Sequence, residues 1–283
     1  MLVAGCGYVG TALAHLMADA AHQVFALRRS ASPVPPGVRL VQADLLREKT
    51  LECLPDGIEL VAYTAAADAS TDEAYEQTYV LGLCNLLKSL KRRGAPVSRV
   101  LFTSSTGVYG QSGGSWVDET SPTVPISFTG SRLLEGEQVL FESGYPAVAL
   151  RLGGIYGPGR ARLIEMVRSG AATRSNGPVQ YTNLIHRDDC ACAIAHLLLH
   201  ENPREKYNGV DCAPCDRNEL LEWLAARLGV APPPFAPTDD AKAHRPAGNK
   251  RCSNRLLLES GYQFRLPTYR EGFGTLLDAT GNK

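Results

Sequence analysis

The sequence contains no apolar run approaching the roughly 18–20 consecutive residues that a membrane-spanning helix requires, so no transmembrane segment is expected. Neither sign of charge is in excess, since 29 basic side chains face 29 acidic ones. A chain without a basic surplus is not built mainly to wrap nucleic acid or to lie on an anionic membrane; a single anionic small ligand needs no such surplus. The chain start lacks the layout of a secretory signal: nothing basic precedes the apolar stretch Met1–Ala4, and Gly5, Gly7 and Gly10 follow at once. A cytoplasmic location is expected. Cysteine is too sparse for a disulfide scaffold, with eight residues scattered along 283, which suits free thiols. Cys212 and Cys215 form one C-x-x-C pair, but no second Cys or His pair at similar spacing completes a zinc site, and no metal is expected. There is no internal repeat and no low-complexity tail.

What is present reads as an ordinary globular chain, 44% hydrophobic and 20% charged, long enough for one large domain or two small ones. Apolar runs at Met1–Ala4, Gln23–Leu27, Val38–Gln42, Ile58–Thr64, Val97–Thr103 and Ala147–Leu152 are expected strands. Helical patterns fall between them. Tyr8 to about Ala20 carries Val9, Leu13, Leu16 and Met17 on one face, and longer stretches cover about 73–93 and 130–143. Strands that are nearly all apolar and alternate with helices predict an α/β fold with a parallel sheet covered on both faces. Ligands on such sheets bind beyond the C-terminal strand ends, here near residues 4, 27, 64, 103 and 152. Past residue 153 Gly and Pro become frequent, helices are expected near 161–169, 187–200, 216–228 and 267–278, and Ala231–Pro237 reads as a stiff extended connection. The expected division is a dinucleotide-binding domain over 1–152 and a smaller, mostly helical substrate lobe over 153–283, with helix 187–200 interleaved with the sheet.

Gly5-Cys6-Gly7-Tyr8-Val9-Gly10 is a G-x-G-x-x-G loop between a strand and an amphipathic helix. Its glycines allow a tight turn and close backbone approach to a diphosphate, which the helix N-terminus favours. A plain βα turn using glycine for packing is the alternative. An NAD site would place a carboxylate about 20 residues after the loop, on the ribose 2′-hydroxyl. That region instead reads Phe25-Ala26-Leu27-Arg28-Arg29-Ser30. Two guanidiniums and no acid predict a 2′-phosphate, hence NADP(H) ahead of NAD(H). The alternative is that both arginines are merely solvated.

Gly5–Gly10, Asp44 in Ala43-Asp44-Leu45, Ala65–Ala67, Ser104-Ser105-Thr106-Gly107-Val108-Tyr109-Gly110, Arg151…Tyr156-Gly157-Pro158-Gly159 and Ile185-His186-Arg187-Asp188-Asp189 together resemble the extended short-chain dehydrogenase/reductases. The resemblance runs in order from residue 1 to about 200 and is nearest to the atypical members described as nucleoside-diphosphate-sugar epimerases. It implies a Rossmann-type doubly wound sheet and an NAD(P)-dependent oxidoreductase or epimerase acting on a small polar substrate, nucleotide sugars included. Position by position it implies Gly5, Gly7, Tyr8, Val9 and Gly10 at the diphosphate, Asp44 on the adenine and Ala65, Ala66 and Ala67 along the cofactor. Leu133 and Leu152 would border the nicotinamide end, and Ser105 would hydrogen-bond the reacting oxygen. It also implies a homodimer through the helices at 73–93 and 130–143.

The family's acid/base pair is a Tyr followed four residues later by a Lys that lowers the phenol pKa. Pro125, Ser127, Gly130, Glu137 and Gln138 match the surrounding pattern without a gap, which puts Thr129 at the Tyr position and Leu133 at the Lys position. A one-residue shift gives Phe128 and Arg132, again without a phenol. Thr106-Gly107 stands where a dehydratase wants Asp-Glu, so dehydration is disfavoured. Ser105, Thr129 and Tyr109 are the catalytic candidates, with Tyr79 and His186 as further proton donors, although Tyr109 also fits a structural tyrosine and Asp188 and Asp189 are expected caps of helix 187–200. Two readings follow: a degenerate NADP(H)-dependent oxidoreductase or epimerase, or a non-catalytic NADP(H)-binding sensor or regulatory protein.

Overall fold

The computed structural model describes residues 1–237 and 248–281. Seven strands form one parallel sheet: β1 (Leu2–Ala4), β2 (Val24–Arg28), β3 (Val38–Gln42), β4 (Leu60–Tyr63), β5 (Arg99–Ser105), β6 (Ala147–Leu152) and β7 (Lys206–Gly209). Their order is β7-β6-β5-β4-β1-β2-β3, so the chain reverses direction across the sheet between β1 and β4. In β1, Leu2 and Ala4 belong to the core on one face and Val3 to the core on the other, and all three are fully buried. Burial on both faces is why the inner strands lack alternation, whereas the edge strand β3 is buried only at Val38 and Val41.

Helices supply the two faces. One is covered by α1 (Tyr8–Asp19), through Val9, Leu13 and Met17, together with Ile194, Leu197 and Leu198 from a helix over Arg187–Leu199. The other is covered around Leu83, Leu86, Leu87, Leu90 and Leu140. The helix expected over 73–93 is present and uninterrupted, but it is not a regular α-helix throughout. It consists of α2 (Asp72–Tyr75), a wide π turn over Glu76–Leu81 and α3 (Gly82–Arg92). The Tyr63 hydroxyl on β4 donates to the Thr78 carbonyl at 2.5 Å, drawing it out of the regular ladder. The following long helix, α4, is Phe128–Glu142, capped by Ser127, whose hydroxyl accepts from the Gly130 amide at 3.4 Å.

Beyond residue 153 come α5 (Arg162–Arg168), α6 (Arg187–Leu199), α7 (Arg217–Leu228), α8 (Arg255–Glu259) and α9 (Tyr269–Gly281). Ile164, Val167, Leu220, Leu221, Leu224 and Phe273 form a separate small core here. This part is threaded into the first, because β7 pairs with β6 and α6 shares a core with α1.

Asp188 and Asp189 do not cap α6. The cap is His186, whose Nδ1 accepts from the Asp188 amide at 3.2 Å. Asp188 pairs with Arg187, while the fully buried Asp189 accepts from the Tyr262 hydroxyl and from the amides of Arg265 and Leu266. The acid expected at a helix end thus laces the segment before α9 onto α6.

Asp211 is a second buried acid, with one carboxylate oxygen accepting from the Ala213 amide and the other unpartnered among the described residues. Burial pushes its pKa up to about 7. The folded state therefore holds a proton that the unfolded chain has released, and stability falls as pH rises from about 4 through 7. Asp211→Asn is expected to be more stable than the parent at pH 8 by about 1–3 kcal/mol, with the gain shrinking toward pH 4. Urea midpoints at both pH values check this; equal gains would place the origin elsewhere.

Candidate active site

A cleft of about 1010 Å³ runs along the C-terminal strand ends. Its walls come from the loops after β3, β2, β1, β4, β5 and β6, six consecutive strands of the sheet. At ~4.8 Å between neighbours this is a trough of roughly 24 Å, with room for an extended dinucleotide. It crosses the point where strand order reverses, the usual ligand position on an open α/β sheet.

The glycine loop lies at the middle, beside the loop after β4. Gly5 has φ +85° and a Cβ there would lie 2.2 Å from Ala65 Cα. A Cβ at Gly10 would lie 2.5 Å from the Thr64 hydroxyl oxygen, so Gly10 serves helix-to-sheet packing and does not line the cleft. Gly7 is different. A Cβ there would meet nothing nearer than the Gly5 carbonyl at 3.9 Å, and the residue lines the cleft as the cap of α1. Protein packing does not demand glycine at position 7, whereas a phosphate reaching the helix amides does. The residues present therefore fit a bound dinucleotide. Tyr8, Val9, Ala65, Ala66 and Leu152 also line the cleft. Ala67 does not; its amide faces the Tyr79 hydroxyl at 3.4 Å.

At the β2–β3 end stand Arg28, Arg29 and Asp44. The two arginines differ, Arg28 being half-buried and Arg29 exposed. Arg28 donates to the Thr11 hydroxyl at 2.7 Å and to the Pro33 carbonyl at 3.0 Å, which fixes its guanidinium beside the first turns of α1. Arg29 donates through Nη2 to both carboxylate oxygens of Asp68, at 2.8 and 2.7 Å. A carboxylate thus does stand at this end of the cleft, brought by the loop after β4 instead of by the end of β2. Asp44 lines the same end and accepts from the Leu46 amide at 3.0 Å.

At the opposite end the cleft is walled by Ser105, Gly107, Thr129 and Leu133, with Tyr75, Gln77, Thr78 and Tyr79 from α2 and the π turn. Ser105 Oγ accepts from the Gly107 amide at 3.0 Å, leaving its O–H free to donate. Thr129 shares a 2.8 Å hydrogen bond with Ser127. Thr129 and Leu133 are one turn apart on α4, both on the cleft, and among the described residues no lysine lines it. Burial pushes the Tyr79 phenol up, so it stays protonated at neutral pH.

Tyr109 is corrected by the structure. It is 1% exposed, donates to Asn208 at 2.9 Å, accepts from Arg151 at 2.8 Å and does not line the cleft. Burial pushes its pKa up to about 12. Its phenol is a structural node. His186 is likewise buried, with its Nε2 unpartnered among the described residues and its ring edge-on to Tyr156. Residues that the sequence does not single out are Asp68, Thr11 and Arg160; the only signal for each is spatial, since their neighbours lie far along the chain.

Comparison with known proteins agrees with this geometry. The family model of the NAD dependent epimerase/dehydratase family matches residues 1–209. Protein YeeZ of Escherichia coli strain K12 is 29% identical over 274 residues, covering 94% of this chain and 95% of its own. The 3-diazoavenalumate denitrifying reductase of a Streptomyces species is 27% identical over 308 residues, covering 97% and 99%. Among solved structures, one from Methylobacillus flagellatus, described as of the NAD-dependent epimerase/dehydratase type, is 40% identical with a TM-score of 0.81, covering 99% of this chain and 98% of its own. Fold, glycine cradle and family match converge: the chain belongs to the NAD-dependent epimerase/dehydratase family.

Proposed function

We propose that this protein is an NADP(H)-dependent reductase or epimerase-like enzyme for a polar, sugar-like substrate, nucleotide-linked sugars included, working with a degenerate acid/base site. The observation that carries the reading is continuity: the arginine-lined end and the hydroxyl-lined end belong to one cleft. Arg28 is the 2′-phosphate ligand in this reading, because its guanidinium has no carboxylate partner among the described residues, whereas Arg29 is neutralised by Asp68. Bound NADP(H) supplies or accepts hydride. Ser105 donates its free O–H to the substrate oxygen, and Thr129 positions the same group. An aliphatic hydroxyl does not ionise near neutral pH, so the proton comes from solvent or from the protonated Tyr79 phenol at the same end of the cleft. Absence of the usual Tyr/Lys pair costs about 10²–10⁴ in rate, which leaves slow turnover.

The test has two steps. Titration with NADPH and NADH is expected to show tighter NADPH binding, and Arg28→Ala is expected to remove that preference; tighter NADH would overturn the cofactor assignment. Incubation with C4-deuterated NADPH and a panel of carbonyl compounds and nucleotide sugars is expected to move deuterium into a product. Tight binding with no transfer would support the second reading, a non-catalytic NADP(H)-binding sensor, which is favoured by the sequence register that sets Thr129 and Leu133 against the family's Tyr and Lys.

A further inference from the structure

Arg160 lies outside every motif discussed so far, on the loop that follows the strand Gly154–Tyr156. It is exposed, lines the cleft and has no carboxylate partner among the described residues. Its guanidinium stacks on the Tyr8 ring, 4.4 Å from the centroid. Tyr8 is the first residue of α1, directly after Gly7. Its hydroxyl donates to the Pro158 carbonyl at 3.0 Å, and the Arg160 amide donates to the Gly157 carbonyl at 2.9 Å, closing a tight turn. Gly157 has φ +146°, and a Cβ there would lie 3.0 Å from the Tyr8 hydroxyl and 3.1 Å from His186 Nε2, so only glycine brings the turn this close. Arg187 also approaches the Tyr8 ring, at 5.4 Å, but it is paired with Asp188 at 2.9 Å. One unneutralised cation is thus held over the mouth of the glycine loop by an aromatic plate and a pinned turn.

We infer that Arg160 closes the phosphate subsite from the C-terminal lobe, forming a charge-assisted clamp on the diphosphate bridge of the dinucleotide, opposite the loop amides around Gly7. The inference rests on the cofactor reading above. Guanidinium suits this role because its planar fork takes two phosphate oxygens at once, and stacking on Tyr8 fixes the plane of the fork. It also gives the C-terminal lobe a direct hold on the cofactor, so ligand binding would join the two parts of the chain.

The test is binding measured by calorimetry on the full chain, with thermal unfolding as the control for folding. Arg160→Ala is expected to weaken NADPH by roughly 10- to 100-fold and to leave adenosine 2′-monophosphate, which has no diphosphate, within two-fold of wild type. Arg160→Lys should restore only part of the loss, since it keeps charge without the fork. Tyr8→Phe, which keeps the ring and loses the tether to Pro158, should give an intermediate loss. Unchanged NADPH affinity in Arg160→Ala overturns the inference. So does an equal loss for adenosine 2′-monophosphate, which would mean a general charge effect. Loss of UDP binding with NADPH unchanged would reassign Arg160 to a substrate phosphate and also overturns it. If wild type binds neither NADPH nor NADH, the cofactor reading itself falls and takes the clamp with it, an outcome distinct from failure of the variant alone.

Discussion

Arg151→Met is expected to destabilise the protein by about 3–5 kcal/mol, because it leaves the Glu137 carboxylate buried without its counter-charge. Both side chains are 2% exposed, and the pair is bidentate at 2.9 and 2.7 Å. The ion pair is the centre of a larger buried network. Ser104 donates to Glu137 at 2.6 Å, Arg151 donates to the Tyr109 hydroxyl, Tyr109 donates to Asn208, and the Asn208 amide donates to Glu119 at 2.6 Å. It therefore ties α4, β5, β6 and β7 together one residue before Ser105. Glu137→Leu should cost a similar amount. The double variant should recover much of the loss, since a buried pair replaced by apolar groups is often near neutral. A double-mutant cycle on urea midpoints is expected to give a coupling above about 2 kcal/mol. Single losses below about 1 kcal/mol would show that the network is dispensable. Against a typical total of about 5–15 kcal/mol, either single change brings the protein close to its unfolding limit.

This network also shows what the sequence could and could not disclose. Glu137, Arg151 and Tyr109 are all readable as family positions, yet their mutual contact spans as many as 42 residues and turns Tyr109 from a catalytic candidate into a buried strut. The inner strands were legible because doubly buried strands are nearly all apolar, and β6 has the expected bounds; the edge strand β3 also has them although Arg39, Leu40 and Gln42 are exposed, while β7, with Lys206 and Asn208, was not among the expected strands. The helix over 73–93 had the right extent but not the right shape, since the hydrogen bond that opens its π turn comes from Tyr63 on another element. The same limit applies to the cleft. Local motifs brought out Gly5, Gly7, Arg28, Asp44, Ser105 and Thr129, all of which line it, while Gly10 of the same loop packs helix against sheet instead. Asp68 was invisible because it meets Arg29 across 39 residues, and Asp189 read as a cap because its partners lie more than 70 residues further on. Residues acting through their own turn can be read one at a time; residues acting across the sheet cannot.

Gly5→Ala and Gly7→Ala are expected to fail in opposite ways, although both sit in one motif. At position 5 the backbone is left-handed, φ +85°, which costs an alanine about 1–2 kcal/mol. Its methyl would also lie 2.2 Å from Ala65 Cα, a backbone atom that can move only if the loop after β4 moves. Gly5→Ala should therefore lose about 3 kcal/mol or more of stability, and NAD(P) binding would disappear with the displaced cleft wall. At position 7 there is open space around the added methyl, and exchange of glycine for alanine at a helix cap costs only about 0.5–1 kcal/mol. Gly7→Ala should thus fold nearly as well as the parent. Its methyl would nonetheless occupy the approach to the first amides of α1, and NAD(P) affinity should fall at least about 10-fold. Chemical unfolding together with cofactor titration separates the two effects. A Gly7→Ala variant that binds like wild type would mean that no phosphate comes near this turn. A Gly5→Ala variant of unchanged stability would mean that the loop after β4 can retreat without cost.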